Sequence, residues 1–203
     1  MELSRRNADA YDQLAAAYAE KNATMPPAYL DLGPRFLALL QPGARVLDLG
    51  CGAGRDLAWL IQQGANVVGG DRSAGMLAQA RQHAPGRLLQ LDMRLQPFRD
   101  AAFGGVWCSA SLLHLPKQDA PGALAEMHRI LVPGGPLLLG IQEGDSEGWE
   151  PSPYEVPVER FFARYRPDEA EAMLGGAGFR VLERRTGQAP NRRWLTFLAT
   201  CAH

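Results

Sequence analysis

The stretch Val46-Leu47-Asp48-Leu49-Gly50-Cys51-Gly52-Ala53-Gly54-Arg55-Asp56 limits what this chain can fold into more than any other segment. Val46–Leu49 reads as the end of a buried strand, and the three glycines read as a sharp turn into a helix. Without side chains at Gly50, Gly52 and Gly54, a ligand can approach the main chain closely. Three ligand classes compete for such a turn. A dinucleotide site needs a glycine where Arg55 stands, and a phosphate-binding P-loop needs a glycine, lysine and hydroxyl series that does not follow. Asp48 separates them further, because a carboxylate at the strand end repels a pyrophosphate and attracts an ammonium.

Periodicity places the turn within an α/β pattern. Helical stretches at Tyr11–Glu20 and Tyr29–Leu40 precede the sheet. Strands are expected at Arg45–Leu49, Asn66–Gly70, Arg87–Leu91, Gly104–Ala110 and Pro136–Ile141. The helices between them carry Leu57 and Leu60, then Met76 and Leu77 behind a Ser73 cap, then Leu124 and Met127 behind an Asp119 cap. A last helix, Pro167–Ala177, leads to strands at Phe179–Arg185 and Arg192–Thr200. No helix separates these two, so they should pair antiparallel. The expected fold is a Rossmann-like, seven-stranded, mostly parallel sheet with helices on both faces and a C-terminal antiparallel hairpin.

With 203 residues, 46% of them hydrophobic, the chain can bury one full core, and residues 1–203 read as one domain. Residues 1–43 form its helical N-terminal cap. Residues 142–166, rich in glycine, proline, charge and aromatics, read as a lid or substrate loop. The net charge of -1 and lack of a long basic run argue against a main affinity for nucleic-acid phosphates. Cys51, Cys108 and Cys201 are too widely spaced for a zinc site and read as reduced thiols. No stretch has signal-peptide or membrane-spanning character, so a cytoplasmic protein without membrane partners is expected, as monomer or homodimer.

Five motifs follow in order: Asp48-Leu49-Gly50-Cys51-Gly52-Ala53-Gly54; Val67-Val68-Gly69-Gly70-Asp71-Arg72-Ser73; Leu91-Asp92-Met93; Trp107 to His114; and Leu131-Val132-Pro133-Gly134-Gly135. In this series the chain resembles class I S-adenosylmethionine-dependent methyltransferases over nearly its whole length. The resemblance implies S-adenosylmethionine as cofactor and S-adenosylhomocysteine as product. It implies that Asp48 takes the cofactor ammonium, Asp71 the ribose hydroxyls, and Asp92 with Met93 the adenine. Tyr18 closes over the methionine end. Cys51, Arg55, Arg72, Met76, Ser109 and Ala110 complete the cofactor set. Each has a plainer alternative: Asp71 as a helix-leading acid, Asp92 as a turn residue, the methionines and Tyr18 as core.

Methyl transfer needs alignment and exclusion of water more than acid-base machinery. His114 is the candidate base, with a hydrogen-bonded structural histidine as the alternative. Beyond the strand ends, Glu143, Trp149, Arg164, Tyr165 and Trp194 are expected to meet the acceptor, and Arg160, Arg164 and Arg166 can hold an anionic one. A small-molecule O or N acceptor is the first reading. The Asn191-Arg192-Arg193-Trp194 and Arg160 to Tyr165 stretches look similar to tRNA carboxymethyl-uridine methyltransferases, which makes RNA the second. A cofactor-binding module without turnover and a Rossmann oxidoreductase remain as other classes.

Overall fold

Along three neighbouring strands the side chains alternate between two apolar layers, which is why these strands are apolar throughout. Val46, Trp107 and Leu138 face one layer, with Leu32 and Phe36 of α2 (Pro27–Ala38) and Leu57 and Leu60 of α3 (Arg55–Gln62). Leu47, Val106 and Leu137 face the other, with Leu124 and Met127 of α5 (Ala120–Ile130) and Ala170 and Leu174 of α6 (Pro167–Gly176). The computed structural model describes residues 2–189 and 192–202, so Asn191 lies outside the described residues.

The main sheet contains β1 (Arg45–Leu49), β2 (Asn66–Asp71), β3 (Leu88–Gln90), β4 (Gly105–Ser109), β5 (Pro136–Gln142), β8 (Phe179–Ala189) and β9 (Arg192–Cys201). Its order is β3-β2-β1-β4-β5-β9-β8. The first five strands are parallel, and β9 runs antiparallel to both β5 and β8. The expected Rossmann-like sheet with its terminal hairpin is therefore the observed one. Chain order reverses between β1 and β4, and a ligand crevice opens at such a switch point outside the carboxyl ends of the strands.

Three local expectations change. The opening helix α1 spans Glu2–Lys21, longer than its apolar stripe suggested. Residues 142–166 contain an antiparallel hairpin, β6 (Glu147–Pro151) and β7 (Glu159–Ala163), packed against α1. Asp119 makes no cap to α5; its carboxylate takes Arg94 Nη1 at 3.0 Å instead. Ser73 does cap α4 (Ala74–Ala80), its Oγ accepting the Met76 N–H at 3.0 Å. Among the described residues no helix is long and apolar enough to cross a membrane.

Candidate active site

A cavity of about 460 Å³ opens where the β1 and β4 ends meet α1, within the size range of small-molecule sites. Its floor is the glycine turn. Gly50 has φ +76°, and a Cβ there would overlap the side chain of Ser111, whose Oγ donates to the Leu49 carbonyl at 2.7 Å. Gly52, at φ +53°, is glycine for another reason: a Cβ there would meet nothing within 4 Å, so the turn is open to a ligand. Ala110, at φ +53°, lines the same cavity at the end of β4, a strained placement for a residue with a Cβ.

Asp48 is 1% exposed, and its Oδ2 has no hydrogen-bond partner. Burial, then the nearby Asp56 carboxylate, raises its pKa well above the usual aspartate value. Asp71, at the end of β2, accepts the Gly52 N–H on one oxygen and the Ser73 N–H on the other, each at 2.8 Å. These bonds fix the carboxylate at the cavity edge, while burial raises its pKa. Arg55 bonds Asp56 through Nε at 2.5 Å, and Asp56 also accepts the Trp107 indole N–H at 2.9 Å.

Tyr18, Asp48, Gly50, Cys51, Gly52, Arg55, Asp71, Arg72, Met76, Asp92, Met93, Ser109, Ala110 and His114 all line this cavity. Gly54 does not. It begins α3 at φ +91° and packs toward Ala80 and His83. Asp92 lines the wall, but Arg72 and Arg94 hold both its oxygens, so this acid is already engaged.

Glu143, Trp149, Arg164, Tyr165 and Trp194 do not line the main cavity, contrary to the expectation that they converge there. A bridge between Glu143 and Tyr165, together with the β6–β7 ladder, folds this segment back beside β5 and β9. Glu143 and Arg164 border a separate cavity of about 330 Å³. Arg164 pairs with Glu150, and Glu143 lies 3.1 Å from Arg193 Nε. Trp149 stacks under Arg6, with 3.8 Å from guanidinium to ring centroid. Tyr165 is buried, and Trp194 pairs with Gln142 in the β5–β9 ladder.

Sequence reasoning passed over one face of α1. Ser4, Asn7, Ala8 and Tyr11, at helical spacing, all border the cavity. His114 Nδ1 lies 2.7 Å from the Phe161 carbonyl, and Nε2 lies 2.8 Å from Tyr11 Oη. A carbonyl only accepts, so Nδ1 carries the proton and Nε2 accepts the tyrosine O–H. Burial, reinforced by the Arg160 and Arg192 charges, pushes the His114 pKa down to about 4.

Arg160, on β7, is 3% exposed. Its Nη1 donates to Tyr11 Oη at 3.3 Å, while Nε and Nη2 have no partner. Around it stand the rings of Tyr11, Tyr154 and Phe162, with centroids 5.7, 5.5 and 4.9 Å from the guanidinium carbon. A signal existed for neither its burial nor its solitude, since Glu159 beside it pairs with Arg6.

Comparison with known proteins agrees with the fold. A family model described as a methyltransferase domain matches residues 46–135. The demethylmenaquinone methyltransferase of Thermus thermophilus is 30% identical over 188 residues, covering 82% of this chain and 84% of that protein. A malonyl-[acyl-carrier protein] O-methyltransferase of Pectobacterium atrosepticum is 42% identical over 126 residues, covering 58% of this chain. The chain spans 49% of the length of that relative and 37% of another. The solved 1,6-didemethyltoxoflavin-N1-methyltransferase of Burkholderia thailandensis, with bound 1,6-didemethyltoxoflavin and S-adenosylhomocysteine, superimposes with a TM-score of 0.69 at 20% identity. That match covers 97% of this chain and 89% of the other. The fold is Rossmann-like, and the relative matched over most of both chains places it among the methyltransferases. The chain belongs to the class I S-adenosylmethionine-dependent methyltransferases.

Proposed function

We propose that this protein transfers a methyl group from S-adenosylmethionine to an oxygen or nitrogen atom of a small-molecule acceptor, releasing S-adenosylhomocysteine. The observation that carries this reading is Asp48, a buried carboxylate on the cavity wall with an unpartnered oxygen, beside a turn open at Gly52. A buried orphan acid is costly, and a ligand ammonium would satisfy it. A dinucleotide pyrophosphate in the same place would add a second negative charge.

The other residues fit the same ligand. Asp71, held by two backbone N–H groups, has lone pairs left for ribose hydroxyls. Met76 and Met93 give the wall an apolar surface for a purine. Asp92 has its oxygens taken by two arginines, so we assign it to ordering Arg72 and Arg94 at the rim. When bound, S-adenosylmethionine supplies a methyl group on a positively charged sulfur. The chain's own task is to align an acceptor and exclude water, and α1 with the β6–β7 hairpin covers the side where the acceptor would enter.

A small acceptor is favoured by the walled cavity and by relatives whose names specify demethylmenaquinone and didemethyltoxoflavin. The test is incubation with methyl-labelled cofactor and either a metabolite extract or bulk tRNA. Label should enter the low-molecular-weight fraction and vanish in Asp71→Ala. Label found only in tRNA would contradict the acceptor class.

A further inference from the structure

The second cavity, of about 330 Å³, shares no lining residue with the first. It lies past the carboxyl end of β5, where Gln142 and Glu143 meet Arg192 and Arg193 of β9, and Arg164 enters it from just after β7. The backbone around it is fixed. The Glu143 N–H donates to the Arg193 carbonyl at 2.9 Å, and the Tyr165 N–H donates to the Gln142 carbonyl at 3.0 Å. A Cβ at Gly144 would come within 2.9 Å of the Arg164 side chain, so glycine there leaves room for the arginine.

Three guanidinium groups and one carboxylate line this space, and their pairing within the protein is incomplete. Glu143 lies 3.1 Å from Arg193 Nε, and Arg164 pairs with Glu150. Arg192 has neither an ion pair nor a side-chain hydrogen bond among the described residues; its guanidinium carbon stands 5.4 Å from the Phe162 ring centroid. Gln142 is 1% exposed, and neither its Nε2 nor its Oε1 has a partner. Glu143 Oε2 accepts no hydrogen bond either, its contact with Arg193 being an ion pair alone. A primary amide buried without partners opposes folding, and a ligand that hydrogen-bonds to it removes that cost.

Guanidinium groups recognise phosphate and carboxylate oxygens. Here the donors come from three directions, Gln142 on β5, Arg164 after β7, and Arg192 and Arg193 on β9, which suits a tetrahedral oxyanion better than a planar carboxylate. Gln142 Oε1 and Glu143 Oε2 need the opposite, a hydrogen-bond donor, and the cavity is larger than a lone anion. We infer that this cavity binds a phosphate ester that carries hydroxyl groups, of the sugar-phosphate kind. The phosphate takes Arg192 and the Gln142 amide N–H, and a hydroxyl donates to Glu143. Ligand and cofactor are held at the same time, because the two cavities are separate. Free sugar phosphates and an RNA backbone both present this group.

The test is calorimetric titration, with and without saturating S-adenosylhomocysteine, using ribose-5-phosphate, ribose, ethyl phosphate, and short RNA and DNA oligonucleotides of matched sequence. The sugar phosphate should bind in both states, with ribose and ethyl phosphate each about tenfold weaker or more. Arg192→Gln should weaken the sugar phosphate about tenfold or more and leave S-adenosylhomocysteine affinity and the melting temperature of the free protein unchanged, with Arg192→Lys recovering part of the loss. Gln142→Leu should weaken it too, yet raise the melting temperature of the free protein, which loss of a merely structural amide would not do. RNA binding tighter than both DNA and the sugar phosphate assigns the group to an RNA backbone; otherwise a free sugar phosphate is the ligand. Ribose or ethyl phosphate binding as tightly, competition by S-adenosylhomocysteine, unimpaired binding by Arg192→Gln, or no binding of either sugar phosphate or RNA overturns the inference. Failure to bind S-adenosylhomocysteine would sink the methyltransferase reading and leave this one standing.

Discussion

Asp48 is buried and His114 is part-buried, and the fold disfavours the charged form of each, yet they move stability in opposite directions with pH. The carboxyl of Asp48 has a raised pKa, so its contribution is favourable at low pH and is lost as pH rises above the ordinary aspartate value. Asp48→Asn should therefore unfold at a higher temperature than the parent near neutrality, by a few degrees in a thermal scan. The gap should close in acid, and affinity for S-adenosylmethionine should fall. His114 is depressed from 6.5 to about 4, so its contribution is full above 6.5 and is lost as pH falls from there toward 4. That loss is worth about 3 kcal/mol, and denaturant titrations should show the parent losing more stability than His114→Gln across this window. An imidazole resonance that titrates near 6.5 would contradict the bonded, neutral ring.

At the scale of elements, α1 is tied to the start of α4. Asp12 Oδ1 accepts the Ser73 hydroxyl at 2.5 Å and the Gly75 N–H at 2.8 Å. Asp12→Ala should cost about 1–2 kcal/mol in denaturant unfolding and weaken cofactor binding, because Ser73 also follows Asp71. A fully neutral result would show that α1 does not depend on this tie. The strands, the glycine turn and the Ser73 cap were legible because apolar runs, glycines and caps act locally. Asp119 was not, because its choice of Arg94 over a backbone N–H is tertiary. Residues 142–166 read as a loop because glycines and prolines hide the β6–β7 ladder, whose direction is set by the bridge from Glu143 to Tyr165. With that direction unknown, the sequence did not show that Trp149, Arg164 and Tyr165 lie away from the main cavity.

Across the whole molecule, the sheet order fixes where a ligand crevice can lie, while the meeting of α1 with β7 and His114 joins segments far apart in sequence. Asn7 meets Phe161, and Tyr11 meets both His114 and Arg160. No local pattern announces such a meeting, whereas the residues named around the glycine turn do gather at one cavity. The cofactor half supports the rest of the account. Its most direct test is calorimetric titration of the purified protein with S-adenosylmethionine and S-adenosylhomocysteine, with NAD and Asp71→Ala as controls. On the methyltransferase reading, both cofactor forms should bind, NAD should not, and Asp71→Ala should show a marked loss. A folded, ligand-free protein that binds neither form, or that binds NAD instead, would contradict it.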